Sequence, residues 1–157
     1  MIDFNEIDFS NPLIEFIRSC PFFDNSAEFR VMEFDDSFDK FEGNMVMYNG
    51  TGQVDIKPDV LYNHFLKLRA SAMLFIRRAS LDDTSRTGTY NFLSKFELWV
   101  AYQNAIGNLP QFGEGLKTTL IVANNGSPWQ DTEEQQVMDY IIQLNYEYEV
   151  DIIYEEE

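Results

Sequence analysis

His64 and Cys20 are the sequence's only imidazole and thiol, which narrows the chemistry open to it. A general base needs a nucleophile within reach and a metal needs convergent ligands, and nothing near His64 in sequence supplies either. We expect His64 on a strand or at a strand edge. Cys20 precedes Pro21-Phe22-Phe23 and is expected to be buried as a small apolar residue, not to do redox work. The acids Asp35, Asp36, Asp39 and Glu42 have an affinity for Ca²⁺ in principle. They lack the alternate-position spacing and central glycine of an EF-hand loop, and Phe38 and Phe41 interrupt them, so a solvated acidic loop is the expectation. Gly113-Glu114-Gly115 has neither the lysine nor the fuller glycine pattern of a phosphate-binding loop. Lys67, Arg69, Arg77 and Arg78 form the one basic concentration, expected to pair with acids of a neighbouring strand or subunit. The sequence therefore offers no catalytic residue, metal site or cofactor-binding residue, and a non-enzymatic role is expected.

The elements that carry these residues follow from spacing. Asn11-Pro12 opens a short helix, with Asn11 as N-cap and Leu13, Ile14, Phe16 and Ile17 at helical intervals. Glu28 to Phe34 reads as a strand. Asn44 to Ile56 reads as a hairpin turning at Asn49-Gly50, because Asn-Gly supplies the positive φ angles of a tight turn. His64 to Ala79 alternates strictly, placing Leu66, Leu68, Ala70, Ala72, Leu74 and Ile76 on one side. Between Asp83 and Gly107 the spacing becomes helical, with a stripe of Phe92, Phe96, Trp99, Gln103 and Ile106 beside Leu93 and Val100, and Gly107 as the stop. A loop from Asn108 to Gly115 leads to a strand over Lys117 to Ala123, which ends at a turn formed by Asn124-Asn125-Gly126-Ser127-Pro128. Tyr140, Ile142, Leu144, Tyr146, Tyr148, Val150, Ile152 and Tyr154 line one face of a last strand. The sum is an α+β fold: a mostly antiparallel sheet with one long and one short helix packed on one face, in a single domain spanning 1–157.

Composition limits the partners. A net charge of −16 opposes binding to DNA or an anionic membrane, since either would be met by repulsion. With one cysteine no intrachain disulfide forms, which fits a reducing cytoplasm. The N-terminus is acidic where a signal peptide is basic, and no apolar run reaches membrane-spanning length, so neither secretion nor membrane insertion is expected. Asn49-Gly50-Thr51 and Asn125-Gly126-Ser127 match the glycosylation pattern but are better read as turns.

Several stretches together resemble the minor capsid or tail terminator family of tailed phages and prophages of Gram-positive bacteria. Ser19-Cys20-Pro21-Phe22-Phe23 is similar to the family's N-terminal helix end, and Ala72 to Ser80 is similar to its long strand and corner. Phe96-Glu97-Leu98-Trp99-Val100 followed by Gly107-Asn108-Leu109-Pro110-Gln111-Phe112-Gly113-Glu114-Gly115 resembles its helix with a Trp, then a Gly-Asn-Leu-Pro loop with a Gly-Glu-Gly. The alternating strand from Tyr140 to Tyr148 resembles its closing strand. Asp35 to Phe41 and the tail Glu155-Glu156-Glu157 have no counterpart in that pattern.

The resemblance implies a virion structural protein, assembled in the host bacterial cytoplasm and located in the neck of the tail. It would form a homo-oligomeric ring, a hexamer, that caps the head-proximal end of the tail tube and ends its polymerisation. Its partners would be the tail tube protein and a head-tail connector or head completion protein, with no membrane and no cofactor. DNA would pass through a negative lumen without specific binding. Available sheet edges and the Gly107 to Gly115 loop would carry contacts between copies. Arg77, Arg78, Trp99, Leu109, Phe112 and Glu114 are the expected interface residues, as charged strand ends and loop aromatics, with core packing the competing role for Trp99. Two alternatives stay open. Another neck component would share the fold type and the acidity, and a DNA-mimic binding module would cluster its carboxylates on one face.

Overall fold

The computed structural model describes residues 2–23, 29–31, 43–58, 64–79, 83–132 and 137–152. Its heart is an antiparallel sheet of three long strands, with β3 (His64–Ala79) beside β5 (Val137–Ile152) and β5 beside β4 (Leu116–Thr132). β2 (Gly43–Pro58) adds antiparallel to β3, and the short β1 (Phe29–Val31) adds parallel to β2. The order is β1-β2-β3-β5-β4. The long helix α2 (Asp83–Ile106) connects β3 to β4, and the short helix α1 (Asn11–Arg18) precedes the sheet. The fold is α+β as the sequence reading has it, a mostly antiparallel sheet with one long and one short helix packed on it.

The alternation along β3 and β5 sets the core face. Register places Ile76 beside Tyr140, Leu74 beside Ile142 and Ala72 beside Leu144, and all of these are buried. A slip of one residue would turn the whole set to water, so the register is strongly specified. α2 closes the face with Leu93, Phe96, Val100 and Gln103, all buried. This stripe lies slightly around the helix from the expected one. Ile106 is exposed, while Phe92 and Trp99 pack at the core's margin. α1 reaches the same core through Leu13, Phe16 and Ile17, with the Phe16 ring 5.0 Å from that of Trp99. Gly107, at φ 76°, ends α2 in a conformation that glycine adopts without steric penalty.

Two expected turns are corrected. Asn49-Gly50 does not reverse the chain; β2 runs on through it beside β3, with register shifts at Tyr48/Gly50 and Thr51/Val54. Asn125-Gly126 likewise lies inside β4, which crosses it with a shift at Asn124/Ser127 and with Asn125 at φ 58°. In both places the residues that satisfy a tight turn also satisfy a β-bulge, and the 16-residue partner strands β3 and β5 hold both sides of the bulge in the sheet. A third correction concerns the start of α1. Ser10 is its N-cap without a side-chain hydrogen bond. Asp8 does the capping instead: its Oδ1 accepts from the Ser10 amide at 2.9 Å, the Ser10 hydroxyl at 3.0 Å and the Asn11 amide at 3.2 Å. The Ser10 amide and hydroxyl, with the Asn11 amide, hold the Asp8 carboxyl below its usual range.

Candidate interaction surfaces

Among the expected interface residues, Arg77 lies on the sheet face opposite the helices. Its register partner is Asp139, and the guanidinium grips that carboxylate twice, Nε to Oδ1 at 2.6 Å and Nη2 to Oδ2 at 2.9 Å. Hydrogen bonding to Asp139 raises the Arg77 pKa further. Nearer the other end of β3, Glu147 accepts from Arg69 at 2.7 Å and from Lys67 at 3.3 Å. Lys67, Arg69 and Arg77 of the basic concentration therefore pair with acids of a neighbouring strand, one of the roles their position allowed. Arg78 donates through Nη1 to the Arg77 carbonyl at 2.8 Å.

The Gly107 to Gly115 loop folds inward. Phe112 is only 1% exposed, with its ring 5.0 Å from Tyr146 and 5.1 Å from Phe9. As an exposed loop anchor it is therefore corrected: it is a core residue. Leu109 packs against the core and Pro110 is buried. Trp99 lies between the rings of Phe16 and Phe96, so packing is the role its surroundings show. Glu114 is the member of the set left exposed. The glycines around it have a packing reason, because a Cβ on Gly113 would stand 3.1 Å from Ile7 Cγ1. The N-terminal segment lies against this loop and is tied to it where the Asp8 amide donates to the Phe112 carbonyl at 2.8 Å.

β4 is an edge strand, and three of its amides are occupied by side chains from outside the sheet. The Thr118 amide donates to Gln111 Oε1 at 3.4 Å, that of Ile121 to Asn104 Oδ1 at 3.1 Å, and that of Gly126 to Glu97 Oε1 at 2.9 Å. Thr118 Oγ1 donates to the Pro110 carbonyl. Helix and loop thus cover this edge, and the expectation of freely available edges is corrected for β4.

Among the described residues, exposed apolar features on the helix side include a groove and a helix stripe. The groove, of about 410 Å³, lies where the N-terminal segment meets the far ends of the strands, lined by Ile2, Phe4, Ile7, Leu66, Leu68 and Val150 among others. Phe4 stands 80% exposed at its margin, on a short 3₁₀ turn that also carries the exposed Asp3 and Glu6. Glu114 precedes Gly115, where an added Cβ would stand 3.2 Å from Ile2, and Leu116, which lines the groove. The other feature is the outer side of α2, where Leu98, Tyr102 and Ile106 recur every fourth residue at 72%, 61% and 56% exposure. The sequence reading names neither Phe4 nor Tyr102 as a contact residue, and it assigned Ile106 to the core stripe.

The Cys20 thiol is buried, as expected, and desolvation raises its pKa, with the Phe22 and Phe23 amides acting the other way. His64 takes its place at the first position of β3, opposite Pro58 and Ile152. Asp35 to Glu42 and the acidic tail lie outside the described residues. Among the described residues no group of three or more His, Cys, Asp or Glu converges as metal ligands, and no helix is long and apolar enough to cross a membrane. No protein-family model matches the sequence, and no curated protein is similar to it.

Proposed function

We propose that this chain is a structural protein of a phage tail, a terminator that rings the head-proximal end of the tail tube, stops its growth and presents a surface to the head completion proteins. The observation that carries the reading is that the separate stretches resembling the terminator family meet in one core. Phe22 and Phe23, of the Cys-Pro-Phe-Phe stretch, pack at 5.9 and 5.8 Å on Phe92 of α2, whose ring lies 5.7 Å from Phe96 at the start of the helix stretch with the Trp. Phe112, of the loop leading to Gly-Glu-Gly, packs on Tyr146 and Tyr148 of the alternating last strand. Motifs scattered along the chain are thus mutually dependent in packing, as they would be if they specify one architecture together.

The DNA-mimic alternative draws less support, because two acids on the described sheet face are paired by neighbours: Glu147 with Arg69 and Lys67, and Asp139 with Arg77. A mimic of phosphate needs such charges unpaired. Imaging virions or tails made without this gene tests the terminator role. Overlong headless tubes are the expected result, and normal-length tails that fail to join heads would move the protein to a neighbouring neck position.

A further inference from the structure

A ring needs two different surfaces on each subunit that fit one another, because a head-to-tail contact repeated around an axis is heterologous. The groove beside the N-terminal segment and the outer side of α2 share no residue, and one is concave where the other is a raised stripe. Their charges also differ in a way the rest of the chain makes significant. With a net charge of −16 on each copy, two copies approach most easily where one surface is free of acid. Along α2 every exposed position from Thr87 to Ile106 is uncharged except Lys95, and the acid in that stretch, Glu97, is held inward by the Gly126 amide. Exposed acids instead flank the groove's lining residues along the chain: Asp3 between Ile2 and Phe4, Glu6 beside Ile7, and Glu114 beside Gly115, where an added Cβ would stand 3.2 Å from Ile2. Lys95 lies one turn before Leu98 on the exposed side of the same helix. Among the described residues Lys95 has no ion-pair partner of its own.

Resting on the ring reading above, we propose that the ring contact seats Leu98, Tyr102 and Ile106 of one copy in the groove around Phe4 of the next, with Lys95 against the flanking acids. The occupant of the groove is a second copy of this chain. The contact leaves the covered edge of β4 untouched and needs no strand pairing between subunits.

The test uses two full-length variants, Phe4→Cys and Leu98→Cys, both at exposed positions where the change leaves the core intact. Each is oxidised alone and then in an equimolar mixture, with the unmodified chain as the control for the buried Cys20. A disulfide-linked dimer is expected in the mixture and in neither variant alone, and the double variant is expected to give a ladder ending at a closed ring. Dimers of equal yield in either single variant would show a like-to-like contact and overturn the proposal. So would the absence of a dimer from the mixture, which leaves the groove to the tube protein or to a small apolar ligand. The result is independent of the deletion phenotype. A terminator that fails here closes its ring through other surfaces, whereas a linked ladder alongside normal-length tails keeps the contact and discards the terminator role.

Discussion

Phe112 separates a packing role from a contact role at a single side chain. Its ring is enclosed by Phe9, Tyr146 and Tyr148, so Phe112→Ala removes an aromatic from a filled space and leaves a cavity that the surrounding rings only partly close. Losses of about 3–5 kcal/mol are usual for such truncations. We expect a shift of that size in the urea unfolding free energy of the isolated subunit. A surface anchor would leave the subunit's stability within about 0.5 kcal/mol of the wild type, and that outcome would return Phe112 to the interface. Sequence reasoning placed this residue in a Gly- and Pro-rich loop, where exposure is the ordinary expectation. Its burial comes from the N-terminal segment folding across the loop, tied by the Asp8 amide to the Phe112 carbonyl, and local spacing carries no trace of that contact. The pairing of Arg77 was legible in outline for the opposite reason, since a basic strand face beside an acidic one is visible in two alternating patterns.

At the scale of elements, the outer edge of β4 and the side chains of α2 are coupled. A bulge leaves a backbone donor without its ladder partner, and Glu97 reaches across to accept from Gly126 in the bulge between Asn124 and Ser127, while Asn104 accepts from the outward amide of Ile121 on the same edge strand. Asn104→Ala would leave the Ile121 amide without that acceptor on a largely dry edge, a change of about 1–3 kcal/mol. The specific expectation is faster hydrogen exchange at Ile121, with the amides of the central β3-β5 ladder slowed or sped only by the change in global stability. Uniform acceleration across the sheet would show that Asn104 contributes by packing alone. The strands β3 and β5 with their core face, and both helices, could be read from periodicity, because their patterns extend over many residues. The fate of each Asn-Gly could not. A bulge and a turn both accept an Asn with positive φ, as Asn125 has here, and the decision rests on whether a long partner strand lies alongside.

For the whole molecule, charge and apolar area pull the proposed ring contact in opposite directions, and salt distinguishes them. Two subunits of net charge −16 repel as whole bodies, over a range set by a screening length of about 30 Å at 0.01 M salt and about 8 Å at 0.15 M. The pairing of Lys95 with Asp3, Glu6 or Glu114 is an exposed interaction worth roughly 0–1 kcal/mol, and it weakens over the same range. One modest attraction is set against the repulsion of two strongly acidic bodies, while burial of Leu98, Tyr102, Ile106 and Phe4 is insensitive to screening. The repulsive part should therefore dominate the salt dependence. In the mixture of the Phe4→Cys and Leu98→Cys variants, dimer yield should rise as sodium chloride is taken from low to physiological concentration. A yield that falls instead would mean that the charge pairing governs the contact, and Lys95→Glu should then abolish it, whereas an apolar contact would be only weakened by that change.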